Sequence, residues 1–312
     1  MRWREFPGTS DRAGDPAFTE LIADLVQPYG VPLRPDANGG HSYGEMLAGT
    51  IRDLVPPACP PDVLILGFAM PDVWPERATA TFLSDACPGH PLAFAVCDQG
   101  CAAGFTALRL ARDYAAGGGC RRVLVALAEQ TRLDYDPPAP ASVPTRHAAF
   151  ALLCEARRAP AAAPVPAPAA APVAPLVAAP VAGGPAQDGG PLLASVRVLP
   201  GVAAGQVPAL LRRELADLPA TAPDGEKRGE EKRGEGKRGE GRRLLVLGEG
   251  LGPLAVGDLP GWRSVMLPPG QPLTGVWREL AAWSAGPGRG GLAIADYDPG
   301  LRYLCLASFA AV

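Results

Sequence analysis

The chain has 312 residues, 47% of them apolar, with 29 basic and 32 acidic side chains and a formal charge of −3. That length supplies core material for one large domain or two halves, and the near-neutral balance argues against nucleic acid and membrane surfaces as partners. The start, Met1 to Arg12, lacks the apolar core of a secretion signal, and proline interrupts the longest Ala/Val/Pro tract, so no membrane span is predicted. Seven irregularly spaced cysteines, mostly in apolar runs, point to a reducing cytoplasm, and only three histidines argue against a His-rich metal site.

Residues from Arg2 to Phe6 read as a first strand. Asp15-Pro16 reads as a helix cap followed by proline, and Phe18, Leu21, Ile22, Leu25 and Val26 then share one face. Ser42 and Glu45 have capping-box spacing ahead of a helix buried through Met46, Leu47, Ile51 and Leu54. Asp62 to Ala69 is a continuous apolar run, as in a parallel sheet covered on both faces. A helix is predicted over Glu76 to Asp85, then a strand over Leu92 to Cys97. The turn Asp98-Gln99-Gly100-Cys101 leads into a helix with Phe105, Leu108, Leu110, Ala111 and Tyr114 near a 3.6-residue period. Gly117 to Gly119 ends it, and strands follow over Val123 to Leu127 and Ala148 to Cys154.

Residues 1–157 therefore form one βαβ-type half. Residues 158–191, rich in Ala, Pro and Val, read as a semi-extended linker or loop; a lipoyl-type swinging arm has similar composition, but no attachment domain follows. A smaller half spans 192–312, with strands at Ala194 to Leu199, Leu244 to Gly248, Ser264 to Leu267, Leu292 to Ala295 and Arg302 to Phe309. Its helices are predicted over Pro208 to Leu218 and Thr274 to Ser284, the latter packing through Val276, Leu280 and Trp283. A charged low-complexity loop, 223–243, interrupts this half with KRGE repeats at Lys227, Lys232 and Lys237 and reads as a solvated loop.

Cys101 sits where a strand turns into a helix, beside unpaired helical N–H groups that favour a thiolate and an oxyanion. Gly100 permits the tight turn, and Ala102, Ala103 and Gly104 leave space beside the sulfur. The alternative is a small thiol packed beneath a helix.

The segment QGCAAGFTALRLARDYAAGG resembles the active-site cysteine region of chalcone-synthase-like type III polyketide synthases. It is also similar to that of β-ketoacyl-ACP synthase III, and both belong to the thiolase-like superfamily. The resemblance implies an α/β fold of two βαβαβ-type halves in a layered αβαβα arrangement, assembled as a dimer. It gives Cys101 the role of nucleophile, taking an acyl group from an acyl-CoA or a phosphopantetheinyl carrier protein, with no bound cofactor and no metal.

Members that form carbon–carbon bonds also use His and Asn from the second half. Here no histidine follows His147 and the sole asparagine is Asn38. LLVLGEGLGP resembles the segment that carries the histidine, with Gly248 or Glu249 near its place, and PPGQPLTG resembles the Gly-Asn loop, with Gly270-Gln271 in that position. By this resemblance Glu249 is a candidate base and Gln271 a candidate amide donor. DYDPGLRYLCLASF resembles the Gly-Phe-Gly-Pro-Gly loop and last strand. Gly300 is then the candidate backbone oxyanion donor, while Asp296 and Asp298 replace glycines and disfavour an oxyanion unless they point away. His147 lies at a Gly-Asp-Gly-Ala segment and reads as packed or interfacial; His41 and His90 are weaker candidate bases.

The resulting expectation is a ketosynthase-III-like acyltransferase that works through acyl-Cys101 without decarboxylative condensation, in polyketide or other secondary metabolism. Two alternatives stay open: a catalytically degenerate, chain-length-factor-like partner of a ketosynthase-like subunit, and a thioesterase-like hydrolase.

Overall fold

The computed structural model describes residues 1–8, 16–34, 40–74, 76–136, 142–156, 176–178, 191–218, 243–286 and 290–310. The Asp15 cap, the Phe18 side chain, most of the 158–191 stretch and residues 223–242 lie outside them. The first half contains β1 (Arg2–Phe6), α1 (Pro16–Val26), α2 (Tyr43–Leu54), β2 (Val63–Gly67), α3 (Thr79–Ala86), β3 (Leu92–Val96), α4 (Ala102–Ala116), β4 (Arg122–Glu129) and β5 (His147–Ala156). After β6 (Leu176–Ala178) come β7 (Leu192–Leu199), α5 (Val207–Ala216), β8 (Arg243–Leu247), β9 (Trp262–Met266), α6 (Gly275–Ala285), β10 (Leu292–Asp298) and β11 (Tyr303–Ala310).

Local chemistry sets several boundaries. Ser42 Oγ accepts a hydrogen bond from Glu45 N at 3.3 Å and caps α2 as the spacing predicts. Asp62 stays outside β2 because its carboxylate accepts from Arg121 N and Arg122 N at 2.7 and 2.9 Å. The helix predicted from Glu76 begins at Thr79 instead. Asp72 ties the preceding loop to both helices, accepting from Thr79 Oγ1 at 3.0 Å and from Tyr43 N at 3.1 Å. β10 runs three residues past its predicted end because its antiparallel pairing with β11 continues to Asp298 and Tyr303.

The tertiary pairings reveal an internal duplication. The first half has strand order β3-β2-β4-β5-β1 and the second β9-β8-β10-β11-β7. In both, the first three strands of that order are parallel and the last two antiparallel to their neighbours. Residue identity carries no trace of this repeat. Within the stretch expected to lack periodic structure, β6 forms a short antiparallel bridge from Cys154–Ala156 of β5 to the start of β7. Free edges on those two strands supply the pairing that this composition does not encode.

Three apolar clusters define the layers. One packs α2 and α3 on the outer face of the first sheet, and another packs α5 on the outer face of the second. The largest lies between the sheets around α4 and α6. The arrangement is therefore the α/β, layered αβαβα fold that the resemblance implies. At its centre Trp277 of α6 meets Phe105 and Phe150 at ring-centroid distances of 5.1 and 5.8 Å. Gly104 makes that approach possible, since a Cβ there would lie 2.6 Å from Trp277 Nε1. Among the described residues no helix is long and apolar enough to cross a membrane.

Candidate active site

Parallel β3 ends at Val96, and the chain must reverse within a few residues to enter α4. Asp98 and Gly100 supply the reversal with φ of +58° and +51°. Ala102 N and Ala103 N donate to Gln99 O and Gly100 O at 2.9 and 3.3 Å, closing the first turn. Cys101 sits at the N-cap, buried to 7% exposure in the seam between the halves.

The sequence alone places this thiol in a setting that favours a thiolate. The structure reverses that: burial pushes the Cys101 thiol well above its ordinary value of 9, and Asp296, Cys305, Asp298 and Glu249 add to the rise. Helix-terminal stabilisation falls off within one turn and is modest beside burial among carboxylates. Cys101 therefore rests as the neutral thiol.

Asp296 is fully enclosed and lies directly across the β10–β11 ladder from Cys305. Its Oδ1 accepts from Gly250 N at 3.2 Å and Tyr297 N at 2.8 Å. Its carboxyl fills the volume a side chain at Gly248 would need, for a Cβ there would fall 2.1 Å from Asp296 Oδ2. Burial raises Asp296 from 3.8 to about 8, against the lowering by its two backbone hydrogen bonds, with Glu249 and Asp298 contributing further upward pressure. Asp298 faces the cysteine turn: its Oδ2 would be 1.7 Å from a Cβ on Gly100, while its Oδ1 accepts from Leu301 N at 2.8 Å.

Glu249, in the short turn after β8, is anchored. Its Oε2 accepts from Gly270 N at 2.6 Å and Gln271 N at 3.1 Å, so the two segments expected to replace His and Asn do meet. The Gln271 amide, however, turns to α6, where its Oε1 accepts from Arg278 Nη1 at 3.2 Å, and its buried Nε2 has no hydrogen-bond partner. Gly300 lies exposed in the turn between β10 and β11. It is Asp298, the last residue of β10, rather than Gly300, that covers Gly100.

The histidines take packing roles. His147 is buried, its Nδ1 accepting from Thr131 N at 3.3 Å, and its ring meets His41 edge-on at 5.2 Å. Burial and His41 lower its affinity for a proton, opposed by a hydrogen bond to the Gly8 backbone. His90 is an exposed residue beside Asp85. Among the described residues no cluster of His, Cys, Asp and Glu is arranged to hold a metal.

Sequence reasoning missed Glu129. The last residue of β4, it reaches the other half, accepting from Leu273 N at 2.9 Å and from Thr274 Oγ1 at the N-terminus of α6. Burial raises its carboxyl from 4.5 to about 7. The available signal was an acidic residue closing an otherwise apolar strand, RVLVALAE.

No family model and no curated protein matches the chain. Among solved structures, 3-oxoacyl-(acyl carrier protein) synthase III from Pseudomonas aeruginosa PAO1 superposes with a TM-score of 0.53 at 14% identity, covering 86% of this chain and 83% of that one. A second 3-oxoacyl-(acyl-carrier-protein) synthase III has a TM-score of 0.48 at 13% identity, covering 100% and 99%. The ishigamide ketosynthase/chain length factor has a TM-score of 0.43 at 14% identity, covering 80% and 73%. With its duplicated halves, its central helical layer and its buried cysteine turn, this chain has the thiolase-like fold of 3-oxoacyl-(acyl carrier protein) synthase III.

Proposed function

We propose that the protein is a ketosynthase-III-like acyltransferase that carries its acyl group on Cys101. The observation that carries this reading is the position of Cys101, at the N-terminus of the central helix and facing Asp296, Asp298 and Cys305 of the second half. The acyl donor is a thioester of CoA or of a phosphopantetheinyl carrier protein. Cys101 Sγ attacks the thioester carbonyl, its proton passes to a nearby carboxylate, and the donor's C–S bond breaks, with the departing sulfur taking up a proton. An alcohol, amine or thiol then attacks the acyl-cysteine and releases the thiol. No carbon dioxide is lost, consistent with a chain that lacks His and Asn in its second half.

Asp296 suits the proton-accepting role better than Glu249, because a carboxyl raised to about 8 is a strong base for the thiol proton once it ionises, whereas Glu249 is occupied in holding the Gly270–Gln271 loop. For Gly300 to serve as oxyanion donor, the β10–β11 turn must first lift Asp298 from Gly100. Dimerisation is assigned to the free edge of β3, whose sequence LAFAV leaves Leu92 61% exposed. A cytoplasmic setting and a place in secondary metabolism belong to the same proposal; all seven cysteines are free thiols.

A second reading, a catalytically degenerate partner subunit, draws on the neutral thiol and on the Asp298 carboxylate covering the cysteine turn. Intact-protein mass after incubation with acyl-CoA and acyl-carrier thioesters separates the two. A mass gain that disappears in Cys101→Ala is expected; no adduct from any donor overturns the acyltransferase and leaves the partner subunit.

A further inference from the structure

The turn that delivers Cys101 has few of the usual fastenings. Asp98 takes a φ of +58°, a conformation that persists in a residue other than glycine where its surroundings over-determine it. Yet Asp98 is exposed, its Oδ2 accepting from Cys97 Sγ at 3.4 Å. Cys101, the N-cap of α4, makes no side-chain capping bond, so the helix starts without the Ser or Asp cap that would fix its first turn. Of the two backbone bonds that close the turn, Ala103 N to Gly100 O is long at 3.3 Å.

Gln99, between the left-handed Asp98 and Gly100, supplies a further hold. Its Oε1 accepts from Thr106 Oγ1 at 2.6 Å, seven residues on and in the second turn of α4. A helical threonine commonly returns its hydroxyl to the carbonyl four residues earlier. Thr106, buried at 8% exposure, donates instead to a side chain outside the helix. Ala102 lies four residues before Thr106 on the same face of α4, and its methyl group leaves the amide room to pass. Asp298 Oδ2 presses on Gly100 from the other half, so the turn is gripped at two successive residues.

We propose that Gln99 is a positioning residue for Cys101: its bond to Thr106 locks the Asp98–Gly100 turn onto α4 and fixes the backbone that carries the sulfur. This role rests on the reading of Cys101 as acyl carrier. A thioester carbonyl must meet the sulfur at close range and in one orientation, so a turn free to open loses rate at the acylation step and not donor affinity. The same opening uncovers a thiol that is otherwise 7% exposed. Loss of the bond therefore makes Cys101 slower towards a thioester and faster towards a small alkylating agent.

Thr106→Val and Gln99→Met each remove the bond and keep the side chain's size. Cys101 alkylation by iodoacetamide at pH 8, read by peptide mass, follows the open population, which a hydrogen bond of ordinary net strength changes about fivefold. Both folded variants should therefore react about fivefold faster than wild type, and Thr106→Ser at the wild-type rate. Leu211→Ala, which removes buried packing in α5 of the other half, should lower the thermal midpoint and leave the Cys101 rate unchanged. An unchanged rate in either folded variant, or an equal acceleration in Leu211→Ala, overturns the proposal. With a donor that acylates the wild type, Thr106→Val should lower the maximal acylation rate about fivefold at an unchanged half-saturating concentration. A raised half-saturating concentration with the maximal rate intact also overturns it. If neither acetyl-CoA nor an acetyl-carrier thioester acylates the wild type, the acyl-carrier reading fails by itself, and the alkylation rates still decide whether Gln99 holds the turn.

Discussion

Replacing Glu129 by glutamine is expected to stabilise the protein, and increasingly so as pH rises. The carboxyl is 2% exposed and spans the two halves, accepting from Leu273 N and Thr274 Oγ1. Burial raises it from 4.5 to about 7, so between those values the folded chain holds a proton that the unfolded chain has released. Stability from this group is therefore present at low pH, falls as pH climbs from about 4.5 to about 7, and is level above. At roughly 1.4 kcal/mol per pH unit, the ionised carboxylate costs about 3 kcal/mol above pH 7. Glutamine keeps an acceptor for Leu273 N and offers an N–H to Thr274 Oγ1 without the charge. Urea unfolding at pH 5 and pH 9 reads the difference. The gap in favour of Glu129→Gln should be below about 1 kcal/mol at pH 5 and near 3 kcal/mol at pH 9, with the urea dependence unchanged. A gap that does not vary with pH, or a variant less stable than wild type at pH 9, would refute the reasoning.

Three other outcomes are expected. Asp298→Gly removes both a charge that raises the Cys101 thiol and the group covering Gly100, so iodoacetamide should alkylate Cys101 several-fold faster at pH 8; an unchanged rate sinks the shielding role. Acylation of Cys101 should accelerate as pH passes through about 8, where Asp296 ionises, and Asp296→Asn should abolish that step; a wild-type profile with no such rise removes Asp296 from proton transfer. Gly104→Ala brings a Cβ to 2.6 Å from Trp277 Nε1, and the overpacking should cost about 1–3 kcal/mol in denaturant unfolding; a neutral substitution would mean that the α4–α6 contact yields freely.

Much of the fold is decided locally and could be read from the chain. Ser42 ahead of Glu45, the apolar run of β2 and the glycine-assisted turn before α4 each act over a few residues, where spacing and propensity carry the information. The cysteine turn was legible for the same reason, together with its resemblance to a known segment. The charge state of that cysteine was not, because burial and four long-range neighbours decide it.

The sequence by itself determined most of the strands and helices, and that a thiol stands at a helix N-terminus. Only the tertiary structure decided that the halves repeat one strand order, that a short strand bridges them, and that Gln271 faces Arg278. It also decided that Glu129 reaches Thr274, 145 residues away. Helix and strand signals recur every two to four residues along the chain. A buried carboxylate or amide takes its energy from whatever the fold brings beside it, and that neighbour has no fixed distance in sequence.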